Sequence, residues 1–173
     1  MTVEDYLSLS EDLRAELFGG ELFISPAPTY RHQRIIANLM VIFVPFVKRH
    51  DLGTVVSSPF DCILSEDDVV QPDVVFVSTD HLDRINDRLY GPPDLAIEVL
   101  SPSNAERDRI VKRDLYFKYD VPEYWIVNPE TSTIEIYRRG NEAWNLVAGG
   151  GVGDTVETPM LPGLKVEVTE VFA

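Results

Sequence analysis

Cysteine occurs once in the sequence, at Cys62, so no internal disulfide can form. Histidine occurs three times and builds no Cys/His cluster, which removes the usual ligands of a zinc site. Long apolar runs are also missing. The stretches Leu39 to Val47 and Leu95 to Leu100 fall far short of the roughly 20 residues that cross a bilayer, which excludes a spanning helix. The start, Met1-Thr2-Val3-Glu4-Asp5, has neither the basic residues nor the apolar core of a secretory signal. Together with the lone cysteine this makes the cytoplasm the expected compartment. Positive charge is scarce: 15 Lys and Arg stand against 29 Asp and Glu, a net charge of −14. That balance argues against a protein that coats nucleic acid by neutralising phosphates, so any contact with DNA has to be local.

What remains is ordinary globular composition, with 45% hydrophobic and 25% charged residues in 173, enough to bury the core of a single domain over residues 1–173. Thr2 with Asp5 reads as a capped helical turn. Glu16-Leu17-Phe18, Gly19-Gly20 and Glu21-Leu22-Phe23-Ile24 read as a β-hairpin around a turn that takes positive φ. From Tyr30 to about His50, Ile35, Leu39, Ile42, Phe43 and Phe46 recur at helical spacing, with Pro45 as a point of distortion. Thr54 to Leu64 reads as one strand, and Val69 to Val77 as the next, bent at Pro72. Asp94 to Leu100 is a further strand. The span from about Ala105 to Tyr119 reads as an amphipathic helix that packs Ile110, Val111, Leu115 and Phe117 and exposes Arg107, Arg109 and Arg113. Val121 to Val127, Thr133 to Tyr137, Trp144 to Val147 and Leu164 to Val168 complete a β-rich end, and Gly149 to Gly153 reads as a flexible loop.

Two acids stand out. Glu98 lies inside an apolar run, where a carboxylate needs a partner, a proton or a metal to offset its desolvation. By strand alternation it shares a face with Ala96 and Leu100. Asp73 follows Pro72 at the mouth of the apolar segment Val74-Val75-Phe76-Val77. Two carboxylates brought to about 4 Å repel by about 4 kcal/mol at an effective dielectric near 20, a cost that a hard cation reverses. On that ground Glu98→Gln is expected to raise metal-free stability. Oxygen ligands without Cys or His suit Mg²⁺ or Mn²⁺. The plainer account has Asp73 capping a strand and Glu98 paired with an arginine. Asp108, Lys112 and Tyr116 recur at i, i+4 and i+8 on the next helix, which by spacing alone reads as a surface ion pair beside a packed tyrosine.

The order Glu16-Leu17 to Gly20-Glu21, Pro26-Ala27-Pro28 to His32, Gln71-Pro72-Asp73, Pro93 to Ser103, Asp108, Lys112, Tyr116 and Val121-Pro122-Glu123-Tyr124-Trp125 resembles the Uma-two family. These are restriction-endonuclease-like proteins of the PD-(D/E)XK nuclease superfamily. The resemblance covers nearly the whole chain. It implies an α/β fold with a central mixed β-sheet flanked by helices and an N-terminal β-hairpin. It further implies Asp73 and Glu98 as ligands of Mg²⁺ or Mn²⁺, with both acids and Lys112 as the catalytic set. In the superfamily pattern a lysine usually stands two residues after the second acid, where this chain has Leu100; Lys112 is the natural substitute. The acids Glu16 and Glu21 match family acids at the hairpin that could reach the metal, and His32, Asp108 and Tyr116 are further accessory candidates. Gly19 and Asn128 depart from frequent family aspartates. Glu123, Tyr124 and Trp125 read as architectural.

The activity so implied is metal-dependent hydrolysis of phosphodiester bonds in DNA. Its approach to a polyanion would rest on a basic patch of Arg107, Arg109, Lys112, Arg113 and Lys118, or on Arg31 and Arg34. The alternative is a catalytically silent module of the same fold that acts by partner binding or self-association, for example as a homodimer. A glycoside hydrolase using Asp73 and Glu98 as acid and base would leave Lys112 without a role.

Overall fold

The structure, a computed structural model, describes residues 1–9, 13–101 and 108–173. Helix α1 (Val3–Leu7) opens on a capping box in which Thr2 and Asp5 satisfy each other's backbone donors. The expected hairpin follows as β1 (Ala15–Phe18) and β2 (Glu21–Ile24), with Gly19 and Gly20 at φ +56° and +79°. Helix α2 (Tyr30–Arg49) runs through Pro45 without ending and is capped by the Thr29 side chain. The chain continues through β3 (Gly53–Ser57), β4 (Cys62–Ile63), β5 (Val69–Val70) and β6 (Val74–Ser78), a 3₁₀ turn over Thr79–Arg84, β7 (Leu89–Tyr90) and β8 (Leu95–Val99). A π-helical turn over Asp108–Lys112 leads into α3 (Arg113–Lys118). Strands β9 (Glu123–Asn128), β10 (Thr133–Arg139), β11 (Trp144–Gly151), β12 (Thr155–Glu157) and β13 (Lys165–Glu167) follow, and α4 (Val168–Val171) closes the fold.

Six strands form the central sheet in the order β11-β10-β9-β8-β6-β3, mixed because β8 and β9 run parallel while their neighbours run antiparallel. A second sheet, β2-β1-β5-β4-β7, contains the hairpin, and β12 and β13 form a separate pair. One face of β8 places Leu95, Ile97 and Val99 against α2, in a core with Phe43, Trp125 and Ile136. The other face places Ala96 and Leu100 in a core with Phe18, Cys62, Tyr116 and Tyr124. The central sheet therefore lies between α2 on one side and the hairpin sheet with α3 on the other.

Three expectations are corrected. Thr54 to Leu64 is not one strand: pairing with β6 ends at Ser57, and β4 joins the other sheet beyond Pro59, which has no N–H to continue a ladder. The glycines Gly149, Gly150 and Gly151 are not a loop but the end of β11, paired with Glu135, Ile134 and Thr133. A side chain at Gly150 would meet Asp154 Cβ at 2.8 Å, so the strand there needs glycine for close approach. Finally, Ile110 and Val111 do not pack; they are 48% and 40% exposed, because the π-helical turn rotates Lys112 inward instead.

Phe43 is fully buried and meets Trp125 edge-on with ring centroids 5.4 Å apart. Phe43→Ala is expected to cost about 3–5 kcal/mol of unfolding free energy, read from urea denaturation; a cost below about 1 kcal/mol would show that α2 does not depend on this contact.

Candidate active site

Glu98 sits near the end of β8 on the face shared by Ala96 and Leu100 and is 1% exposed. Lys112, 4% exposed, places its Nζ 3.1 Å from both Glu98 carboxylate oxygens and 2.9 Å from Glu16 Oε1. Lys112 is therefore buried with Glu98 and Glu16 rather than standing on the surface, and the side chain of Asp108 lies outside the described part of the structure. Tyr116, one turn further on, is fully buried and donates its hydroxyl to Glu98 Oε1 at 2.5 Å. Burial first, then the charge of Glu98, holds the Tyr116 hydroxyl well above its ordinary pKa, so it is a donor at neutral pH.

Glu16 reaches this cluster because the hairpin alternates: Ala15 and Leu17 pack into the small core around Tyr6, while Glu16 and Phe18 face the central sheet. Its Oε1 also accepts the backbone N–H of Gln71 at 2.7 Å. That donor is free because Pro72 breaks the strand between β5 and β6, so Gln71-Pro72-Asp73 crosses from one sheet to the other. Glu21 does not join the site. It is exposed on β2, the edge strand of its sheet, where a charge discourages strand addition.

Asp73 stands directly before β6, and the β6–β8 ladder ends at Val74 and Ile97. Its backbone carbonyl turns to the Ser58 N–H at 2.9 Å, and its carboxylate takes over the pairing by accepting the Val99 N–H at 2.8 Å. The same Oδ2 lies 3.2 Å from His32 Nε2, which is also 3.0 Å from the Val99 carbonyl. His32 is thus packed against the strand end rather than capping α2 with its side chain. Burial lowers its pKa, but the hydrogen bond and charge of Asp73 outweigh that and raise it above its ordinary value. Asp73 stands at the entry to β6 and Glu98 on the neighbouring strand β8, each carboxylate with its own partners.

Sequence reading missed the Gln71 amide and the partners of Glu123, a fully buried carboxylate that accepts from Trp125 Nε1 at 2.8 Å, from the Thr158 hydroxyl and from the Met160 N–H. The latter network is architectural. On the far side of Gln71 a cleft of about 390 Å³ is lined by Tyr6, Phe60, Asp61 and Arg88, with Asp61 bonded to Tyr6, Gln71 and Arg88. Cys62 is fully buried and its thiol pKa is pushed up by that burial, which leaves it inert. Of the expected basic patch, Lys112 does not reach the surface and the other described cations have partners. Lys112 is buried; Arg113 pairs with Asp114 and Lys118 with Asp68; Arg31 and Arg34 donate to the carbonyls of Pro129 and Ala173. Arg107 and the side chain of Arg109 lie outside the described part.

The donor set can be tested against a divalent ion. Glu16 and Glu98 are two buried carboxylates facing one ammonium, and Asp73, a third buried carboxylate, faces His32 and the Val99 N–H, so the candidate donors are oxygen. Among the described residues no three Asp, Glu, His or Cys side chains gather into a ligand set. Mg²⁺ typically binds through one or two carboxylates and keeps several waters, so Asp73 and Glu98 fit it in charge and donor type. Lys112 is the cation that neutralises Glu98 in the arrangement seen. Glu98→Gln would relieve no repulsion between unpaired acids here, since it takes one of two counter-ions from a buried ammonium and leaves Glu16.

The Uma2 family model, described as "Putative restriction endonuclease", matches residues 3–169. An uncharacterised protein of Synechocystis sp. is 26% identical over 175 residues, covering 99% of this chain and 91% of the relative. A crystal structure described as a putative nuclease belonging to DUF820, from Anabaena variabilis, superposes with a TM-score of 0.85 at 20% identity, covering 99% of this chain and 97% of that one. The two chains therefore share one fold. No helix among the described residues is long and apolar enough to cross a membrane.

Two outcomes are expected of the metal-free protein. Lys112→Met should cost about 3 kcal/mol at neutral pH, because it leaves Glu16 and Glu98 buried without a cation; urea denaturation showing no loss would mean that the carboxylates are solvated or protonated. The His32 contribution follows from its raised pKa. It is fully present below the unfolded value near 6.5 and is lost as pH rises through the higher folded value. The stability gap between wild type and His32→Asn should accordingly shrink from pH 6 to pH 9, and a gap that widens would reverse the assignment.

Proposed function

We propose, from the premise that the chain belongs to the Uma2 family, that it is a divalent-metal-dependent nuclease that hydrolyses phosphodiester bonds in DNA. Asp73 and Glu98 are the residues that would hold Mg²⁺ or Mn²⁺, and Lys112 is the charge-stabilising catalytic residue. The observation that carries this reading is the burial of the Lys112 ammonium between Glu16 and Glu98, next to the strand end that Asp73 caps. A lysine with only a solvation role would leave its charge in water.

When bound, the ion lowers the pKa of the attacking water and offsets negative charge on the phosphate. The protein's own groups do the rest. Glu98 and Glu16 aim the Lys112 ammonium, so that it can move onto a phosphate oxygen as negative charge builds there. Tyr116 donates to Glu98 Oε1 and fixes the rotation of that carboxylate. The backbone N–H of Gln71 does the same for Glu16. The Val99 N–H holds Asp73 at the end of the sheet, where His32 sets its orientation from the α2 side.

A second reading is the catalytically silent module. It is favoured by the engagement of both Glu98 oxygens by Lys112, with Tyr116 on one of them. Binding of Mn²⁺, followed by calorimetry, separates the two.

Purified protein with Mg²⁺ or Mn²⁺ is expected to nick or cut plasmid DNA. Asp73→Asn, Glu98→Gln and Lys112→Ala should each lower the rate about a hundredfold or more, with circular dichroism verifying that each variant is folded. Activity should fall steeply with added salt, since a chain of net charge −14 approaches DNA only through a local positive surface. A wild-type protein that binds no divalent ion and cuts neither single- nor double-stranded DNA would refute the nuclease reading.

A further inference from the structure

The cleft on the far side of Gln71 shares only that residue and part of β1 with the candidate active site, and its lining has a chemistry of its own. Its volume of about 390 Å³ lies within the range of small-molecule sites. It is open to solvent: Leu7 on its wall is 37% exposed and the Asp87 side chain on its rim 59%. Leu9, Leu13 and Phe60, each half-buried, continue the apolar wall. The charged lining residues among those described are Asp61, Asp87 and Arg88, two carboxylates against one guanidinium.

Hydrogen-bond donors are short at the floor of this cleft. Burial, then the charge of Asp61, raises the Tyr6 pKa, so the hydroxyl keeps its one hydrogen. That hydrogen faces two acceptors, the Ala15 carbonyl at 2.8 Å and Asp61 Oδ1 at 2.9 Å. Gln71 Nε2 donates to the same Oδ1 at 2.8 Å, while the Gln71 side-chain oxygen accepts from none of the described residues. Asp61 Oδ2 accepts from Arg88 Nε at 3.2 Å. A carboxylate has about four lone-pair sites, so Asp61 retains room for a further donor.

The complementary ligand is therefore rich in N–H, positively charged to offset the surplus carboxylate, and apolar along its body. An anion would meet Asp61 and Asp87, to which Arg88 already gives its Nε and Nη1 hydrogens. Lysine side chains settle in the same divided way, with the carbon stem on apolar surface and the charged head on polar groups. We propose that this cleft binds an alkylammonium ion, with the ammonium on Asp61 and the Gln71 oxygen and the carbon stem along Leu13 and Phe60. A free aliphatic amine and a peptide lysine both carry that chemistry. The site is independent of the nuclease reading, since none of the groups that would hold the ion belongs to the catalytic set proposed above.

Titration of the full chain with butylamine, followed by two-dimensional NMR of the backbone amides, tests the site; butyrate is the anionic counterpart and N-acetyl-lysine amide the peptide-like probe. Butylamine should give saturable shifts at Asp61, Gln71 and Arg88 that weaken with added salt, and butyrate none. Asp61→Asn should weaken binding about tenfold by loss of a charge-assisted hydrogen bond. Arg88→Gln should tighten it about threefold, because it removes the competing cation. Asp87→Asn, on the exposed rim, should weaken it about twofold with an unchanged melting temperature, which keeps the question answerable if Asp61→Asn unfolds. Absence of a saturable shift with butylamine, equal affinity in all three variants, or binding of butyrate would overturn the site. So would equal shifts at Asp114 and Glu142, exposed acids of a second cleft beside Trp144, since these mark adventitious association with an acidic surface. Tighter binding of N-acetyl-lysine amide than of butylamine would support the site and assign it to a peptide lysine, and the reverse order would support it and assign a free amine.

Discussion

The ammonium of Lys112, buried between the carboxylates of Glu16 and Glu98, is the interaction on which the arrangement of the site depends. Taking three charges out of water is costly, and the cost is offset only while their geometry is maintained. That requirement ties together a hairpin strand, the central strand β8 and a π-helical turn, segments that lie far apart in the chain. Loss of the cation would leave two acids facing each other in a region closed to solvent. The hydroxyl of Tyr116 and the amide of Gln71 then settle which oxygen of each acid faces the lysine.

Pro72 has an effect out of proportion to its size. By ending β5 it sends the chain from one sheet to the other, frees the Gln71 amide for Glu16, and delivers Asp73 to the end of β6. Asp73 then completes the ladder with its side chain, where its own backbone has turned toward Ser58. The two sheets meet at this residue. A carboxylate that caps a strand is structural, but it is also fixed in direction, and fixed direction is what a metal ligand or a reacting group requires.

The electrostatics pull in two directions. Within the site, Glu16 and Glu98 share one ammonium while Asp73 faces His32. Across the surface, the acidic excess of the sequence disfavours a phosphate polymer, and the described cations of the segment expected to supply a basic patch, Lys112, Arg113 and Lys118, pair with Glu98, Asp114 and Asp68. A nucleic-acid substrate, as proposed, would have to be met by a few local donors rather than by the overall field.

Much of this was legible in the sequence because it is local. The hairpin, the α2 core stripe, the capping box at Thr2 and the alternation that places Glu98 opposite Ile97 follow from periods of two and 3.6 residues and from glycine at positive φ. The candidate acids could be picked out because carboxylates inside apolar strands are expensive. What tertiary structure alone decided is pairing between distant segments. Nothing in the spacing of residues 108 to 116 shows that a π-helical turn moves Lys112 inward and leaves Ile110 and Val111 exposed, since hydrophobic periodicity assumes a regular helix. The glycine run of β11 became strand because Glu135, Ile134 and Thr133 of β10 supplied its hydrogen bonds. Sequence by itself determined which residues could bear charge in the interior, and the fold determined which charges meet, because a buried ion's energy depends on the few ångströms separating it from its partner.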